Sequence, residues 1–399
     1  METTKQANGA YFDKRISALK GAGDVSGAID VAKAAIVSMA KEGDRAGVRR
    51  FADIARELYR EKYLDGALPF DYFKKGEAET AFEAGLLFSR QQGLDLLTNF
   101  FIDGRITIFS KEIKYHIDHN DDLHSALVAK SAGKFSIENG HNATGTKMLR
   151  LSLSHLNNYI SSISRNDAYA LSFFESSVER SEVVLMLGSE RQEYEGSLRS
   201  AISHGRRYLK LAAEKKEVIN VAKASQTMAN LFHELGENEN FVKFSKVAVV
   251  NYLVFINSEI ERGGHFRAAT VSMETSQLAD GIGLSGLGKQ LLSLSLECFE
   301  KDIRGSMEKN QYYAAAVAAS EARSVAKKMG DKMKENELLE LSLHNYIEYM
   351  HKDLYGKEAY VIADIIAKSA INIARTLGKP DEVARIKERL DEIKGLARG

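Results

Sequence analysis

Apolar residues in this chain recur three and four positions apart over stretches of about twenty residues, and short polar segments separate the stretches. In KEAYVIADIIAKSAINIARTLG (357–378), Tyr360, Ala363, Ile366, Ala367, Ala370, Ile373, Ala374 and Leu377 fall on one helical face. In NQYYAAAVAASEARSVAKKMG (310–330), Tyr313, Ala316, Val317, Ser320 and Met329 are expected to do the same. No segment alternates as a strand would. A glycine closes each apolar stretch: Gly43, Gly93, Gly140, Gly188, Gly236, Gly283, Gly330 and Gly378, at intervals of 50, 47, 48, 48, 47, 47 and 48. Glycine suits these places because a helix commonly ends on a residue in the left-handed region. A second series of polar turns lies about twenty residues before each glycine: LDGALPFD (65–72), HNDD (119–122), RND (165–167), EKKE (214–217), RGGH (262–265), EKNQ (308–311) and YGKE (355–358). The pattern predicts about 17 helices, the first near 8–20 and the last near 381–396.

Two columns keep the register of the glycines. Twelve residues beyond each lie Ala55, Arg105, Ser152, Ser200, Ala248, Ser295 and Ser342, all small but one. Sixteen beyond lie Tyr59, Phe109, Leu156, His204, Tyr252, Phe299 and Tyr346. Four positions apart, the columns share one face, the first admitting a neighbouring helix and the second filling the space around it. The fold class expected is therefore all-α: a single array over 1–399 of tandem antiparallel helix pairs. A cap occupies 1–22, repeats run over 23–378, and a capping helix over 379–399 closes the array.

Two segments carry a family resemblance. AKSAINIARTLGKPDEVARIKERL (367–390) has a small-residue helix, a Leu-Gly turn and a second amphipathic helix. GAGDVSGAIDVAKAAI (21–36) has a Gly-Asp turn followed by Ala28, Ile29 and Ala35. Both resemble tetratricopeptide repeats, as does the small-residue column. The family's unit is about 34 residues, whereas the interval here is mostly 47 or 48, so each helix is longer by one to two turns. The family's proline after the second helix is missing from the middle repeats. The resemblance implies a right-handed superhelical α-solenoid that binds a peptide or protein on its concave face.

Composition narrows the function. Two prolines in 399 residues, Pro69 and Pro380, agree with long helices. Lys plus Arg equals Asp plus Glu at 55 each, so no global field draws nucleic acid or an anionic membrane, and neither is expected as a partner. A local basic patch, Arg199, Arg206, Arg207, Lys210, Lys215 and Lys216, reads as a solvated helix face. The longest apolar run, VAVVNYLVFI (247–256), contains Asn251 and falls short of a membrane span. The single cysteine, Cys298, and a first thirty residues without an apolar run predict a soluble cytoplasmic protein. Cys298 reads as a buried small hydrophobe.

Candidate chemistry is sparse. HIDHNDDLH (116–124) gathers His116, Asp118, His119, Asp121, Asp122 and His124 within nine residues, with the nitrogen and oxygen donors of a metal site. The same stretch is a predicted turn, so Asp121 or Asp122 also reads as a helix N-cap. In GIGLSGLGKQ (281–290), Gly283, Gly288 and Lys289 imitate a phosphate loop and Gly281, Gly283 and Gly286 a dinucleotide fingerprint. Both motifs need a preceding strand, and the first needs Ser or Thr where Gln290 stands. The segment is expected to be a long inter-helix turn. His204 is placed in the core column, and His344 and His351 have no third ligand at an obvious spacing. No hydrolase or metalloprotease motif stands out, so no cofactor and no catalysis are expected. The leading expectation is a non-catalytic interaction scaffold. An all-α metal-dependent enzyme or metal sensor built on 116–124 is the alternative, and a ligand-responsive regulatory solenoid is a third.

Overall fold

The structure is a computed structural model that describes residues 2–64, 72–163, 166–352 and 359–398. Seventeen α-helices and no strand occur among them: α1 Glu2–Gly21, α2 Val25–Lys41, α3 Arg45–Tyr63, α4 Tyr72–Gln91, α5 Asp95–Asp118, α6 Asp122–Glu138, α7 Asn142–Ile163, α8 Ala170–Met186 and α9 Arg191–Glu214. They continue with α10 Val218–Glu234, α11 Asn238–Glu261, α12 His265–Gly281, α13 Ser285–Glu308, α14 Tyr312–Met329, α15 Lys332–Lys352, α16 Ala359–Thr376 and α17 Pro380–Arg398. The expected turns at 65–71 and 355–358, with Pro69 and the side chain of Tyr360, lie outside the described residues. The helices pack into two units, Met1–His204 and Gly205–Gly399, and the division falls within α9. In the first, α1 to α3 and α4 to α8 pack in chain order, and α3 meets α4 through the Tyr59–Phe82 edge contact and the Lys62–Glu77 ion pair; in the second, α10 to α17 pack in chain order. Each unit is thus a stack of antiparallel helix pairs, the all-α repeat architecture that the glycine spacing predicts.

The two helices of a pair differ in length and in what they bury. Helices before a turn glycine are short, 17 residues in α2, α6, α8, α10 and α12, and those after reach 24 in α5, α9, α11 and α13. The short ones bury small residues at fixed offsets before the glycine. These are Ser125, Ala126, Ala129, Ala132, Gly133 and Ser136 in α6, and Ala268, Ala269, Ser272, Thr275, Ser276 and Ala279 in α12. In α2 the same offsets hold Ala28, Ile29, Ala32, Ala35, Ile36 and Met39. Each short helix is covered on both sides, so its buried arc is wider than one stripe, and small side chains let neighbouring axes approach to about 8 Å. This corrects the single stripe expected in α14. Ala315, Ala316, Ala318, Ala319, Ala322, Val325 and Ala326 are its buried residues, and Tyr313 and Met329 are exposed.

The longer helices carry the two columns. Ala55, Ser152, Ala248, Ser295 and Ser342 are buried, as are Tyr59, Phe109, Leu156, Tyr252, Phe299 and Tyr346. The serines do more than save space. Ser152, Ser295 and Ser342 donate from Oγ to the carbonyls of Ala126, Ala269 and Ala316 on the preceding helix, at 2.8, 2.8 and 3.0 Å. Arg105 uses the same register, its guanidinium donating to the Glu79 carbonyl at 3.2 Å and lying over Phe109 and Phe135. Tyr252 donates to Gln226 Oε1 at 2.7 Å, and burial followed by the nearby Glu274 carboxylate pushes its hydroxyl up to about 12.

Helix α9 departs from the columns. Two residues, Ser189 and Glu190, separate Gly188 from α9, where one residue stands after Gly43, Gly93 and Gly236. The inserted residue advances the register by one. Ser200 is consequently exposed and Ala201 takes the buried place, while His204 is half-buried instead of sitting in the core column.

All eight turn glycines have positive φ, from 65° to 83°. The following residue closes the six-residue ring of a Schellman motif, as where Glu237 N–H reaches the Phe232 carbonyl at 2.9 Å. The second series of turns repeats this geometry with Gly23, Asn120, Lys216, Gly263 and Asn310 at φ between 55° and 77°. A left-handed lysine costs roughly 1–2 kcal/mol that glycine does not incur, and the Lys216 side chain is exposed. Lys216→Gly is expected to raise the denaturation midpoint by the equivalent of about 1 kcal/mol, after glycine's greater freedom in the unfolded chain is allowed for. An unchanged or lower midpoint contradicts the assignment.

Candidate functional site

The α5–α6 corner is built by its left-handed residue. Asn120, at φ 55°, turns the chain so that Asp121 N–H bonds the His116 carbonyl at 2.9 Å, which sets Asp121 beside the His116 ring. Asp121 then caps α6, its Oδ1 accepting from His124 N–H at 3.1 Å. Its other oxygen, Oδ2, faces two imidazoles: His124 Nδ1 at 2.8 Å and His116 Nδ1 at 3.4 Å. The two rings stack at 5.2 Å and 15°. Desolvation works against ionisation of Asp121, but the His124 amide, the His124 ring and the His116 ring outweigh it and hold the carboxyl below its ordinary value.

Of the sequence candidates, the fold therefore brings together His116, Asp121 and His124, with one donor atom from each lying within 4.8 Å of the others. His119 turns away, its Nδ1 2.7 Å from the Tyr115 carbonyl and its ring on Tyr115. Asp118 is exposed at the end of α5. Asp122 points to a residue that no local spacing reveals, His155 on α7, with Nδ1 to Oδ1 at 2.6 Å.

A second polar place follows from the register shift of α9. A cavity of about 500 Å³ is lined by Asn157, Ser161, Ser177, Arg180, Glu193, Ser197, Ser200 and His204. Ser177 Oγ and His204 Nδ1 are 2.7 Å apart, the spacing of a nucleophile and its base. Ser177 Oγ also lies 2.7 Å from the Phe173 carbonyl, so its one proton is shared between that carbonyl and the imidazole as alternatives.

The remaining sequence candidates lie apart from these two places. In 281–290 the turn is short, not long as expected: Gly281 ends α12, Gly283 is the left-handed residue, and Gly286, Gly288 and Lys289 lie inside α13. A Cβ on Gly288 would sit 2.2 Å from Asp280 Oδ1, so the space beside it holds a carboxylate and not a phosphate. Cys298 is buried in the α13 core, and burial pushes its thiol up. His344 and His351 are exposed on α15. Among the described residues α11 is the one helix long and apolar enough to cross a membrane, but it packs against α10 and α12 through Ser245, Ala248, Val249, Tyr252 and Ile256. Val247, Val250 and Val254 stay exposed along its other side.

Two hairpins of the first unit enclose an open cavity of about 530 Å³. The turns at Gly43 and Gly93 and the first turns of α3 and α5 form it. Val48, Ala52, Leu94 and Leu97 give apolar lining, Leu96 is exposed beside them, and Arg45, Arg49, Arg56, Asp53 and Asp95 supply charge of both signs. Periodicity does not disclose this place, because its residues come from two repeats 50 positions apart.

No family model matches the sequence, and no curated protein matches it. Among solved structures the chain is similar to a circular tandem repeat protein with a novel repeat topology, at 14% identity over 100% of this chain and 98% of the other, with a TM-score of 0.32. It is similar also to BtubC from P. vanneervenii, at 17% identity over 61% of this chain and 92% of that one, TM-score 0.31. A third is yeast Tom70, at 11% identity over 96% and 85%, TM-score 0.28. The assignment to tandem helical hairpins rests on the helix order and packing of this chain itself.

Proposed function

We propose that this chain is a non-catalytic, cytoplasmic scaffold that holds a peptide or protein partner, and that the cavity between α3 and α5 is a contact point. The observation that carries the reading is that cavity's make-up. An apolar lining beside exposed Leu96, edged by arginines and aspartates, has the apolar centre and polar rim of a protein-recognition surface. Its volume accommodates one or two large side chains of a partner, while the rim charges meet that partner's polar groups. Binding on the concave face that the repeat resemblance implies belongs to the same proposal.

The test places a photoreactive amino acid at Leu96, with a control at Met333, which is 85% exposed on α15. After irradiation in cells, the Leu96 probe is expected to capture a defined protein that the Met333 probe does not. Ala52→Trp, which fills the cavity, is expected to reduce that capture at least tenfold with circular dichroism unchanged. Equal capture at both probes, or capture indifferent to Ala52→Trp, overturns the assignment.

A further inference from the structure

We infer that the α5–α6 corner is a binding site for one divalent transition-metal ion of the zinc type, held by His116 Nδ1, Asp121 Oδ2 and His124 Nδ1. Zinc is bound by imidazole nitrogen at about 2.0–2.1 Å and by carboxylate oxygen at about 2.0–2.2 Å. Tetrahedral ligands at those lengths lie about 3.3–3.5 Å from one another. The His116–Asp121 separation, 3.4 Å, already has that value, and the His124–Asp121 separation, 2.8 Å, is short of it by about half an ångström. The side that must move can do so. The His124 side chain is 60% exposed, whereas His116 is 6% exposed and fixed in the last turn of α5.

The scaffold of the site is rigid for reasons independent of a metal. The left-handed Asn120 and the Asp121 N–H to His116 carbonyl bond set the first two ligands, and capping through Oδ1 leaves Oδ2 for the ion. Two neutral imidazoles and one carboxylate form a set of borderline donors that suits zinc, cobalt or nickel over magnesium or calcium. Three protein ligands leave a fourth position for water.

Titration of the full chain, free of any histidine tag, with zinc chloride tests it. One ion per chain is expected at pH 7.5. Asp121→Asn keeps a cap oxygen, because asparagine caps as well as aspartate, and removes the carboxylate. Asp121→Asn and His124→Ala are each expected to weaken zinc at least tenfold, while His351→Ala has no effect. Circular dichroism and the thermal midpoint of each metal-free variant show whether it is folded. Absence of stoichiometric zinc on the wild-type chain overturns the site, as does binding that survives both substitutions in folded protein.

Discussion

Gly104→Ala is expected to destabilise the first unit by about 2 kcal/mol, although alanine is the better helix former. Propensity alone favours the substitution by about 1 kcal/mol. The opposing effect is steric. A Cβ at Gly104 in α5 would stand 1.9 Å from Cε1 of Phe82 in α4, and one at Gly85 in α4 would stand 2.4 Å from Phe101 in α5. Each helix thus offers a glycine to the other's phenylalanine. Neither ring can retreat: Phe82 and Phe101 are 0% and 1% exposed and 5.7 Å apart in edge contact, and Tyr59 lies 4.7 Å from Phe101. Overpacking of this kind costs typically 1–3 kcal/mol, and the short distance puts Gly104 at the upper end. Gly76→Ala, in α4 with nothing within 4 Å of the new carbon, is expected to change stability in the opposite direction by a few tenths to 1 kcal/mol. Denaturant midpoints of the two variants should move apart. Adding Phe82→Leu to Gly104→Ala should recover part of the loss, read as a coupling energy in a double-mutant cycle. Gly104→Ala at or above wild-type stability contradicts the reciprocal packing.

The glycine ladder made the hairpins legible because a left-handed helix end selects glycine strongly, and all eight positions have the expected φ. The matching series at the other end of each pair was legible as polar turns but not as left-handed helix ends. Asn120, Lys216 and Asn310 adopt the same left-handed geometry, but asparagine and lysine do not announce it. The one-residue insertion at 189–190 was hidden too, since an interval of 48 before and after Gly188 absorbs it without a break in the spacing. Its consequence is the displacement of Ser200 and His204 from their columns. At the corner site the residue types were legible and their selection was not. His116, Asp118, His119, Asp121 and His124 are equally close along the chain, and the backbone reversal at Asn120 decides that the first, fourth and fifth converge. The helix-internal glycines Gly85 and Gly104 are sockets for aromatic rings, a role that no spacing in the sequence marks.

Phe299→Ala is expected to cost about 4–5 kcal/mol, near the top of the range for removing a buried aromatic ring. The cost depends on how far the surroundings can close over the space, and the cluster around Phe299 is rich in alanine. Its core cluster in the second unit includes Ala268, Ala269, Ala279, Ala318, Ala319, Ala322 and Ala326, all with 0% exposure. An alanine has no side-chain torsion that moves a heavy atom, so none of these can swing into a void. Closure would require whole helices to shift, and α12 is held to α13 by the Ser295 bond to the Ala269 carbonyl. Phe266, in edge contact at 5.5 Å, and the cluster's Ile256, Leu291 and Ile303 are side chains with torsions to relax. Phe299→Leu retains most of the volume and is expected to lose about 1–1.5 kcal/mol. The ratio between the two substitutions, measured by chemical denaturation of the full chain, is the informative quantity. A Phe299→Ala loss below about 2 kcal/mol would mean that the alanine-lined helices yield, and that small residues at fixed offsets do not make the stack rigid.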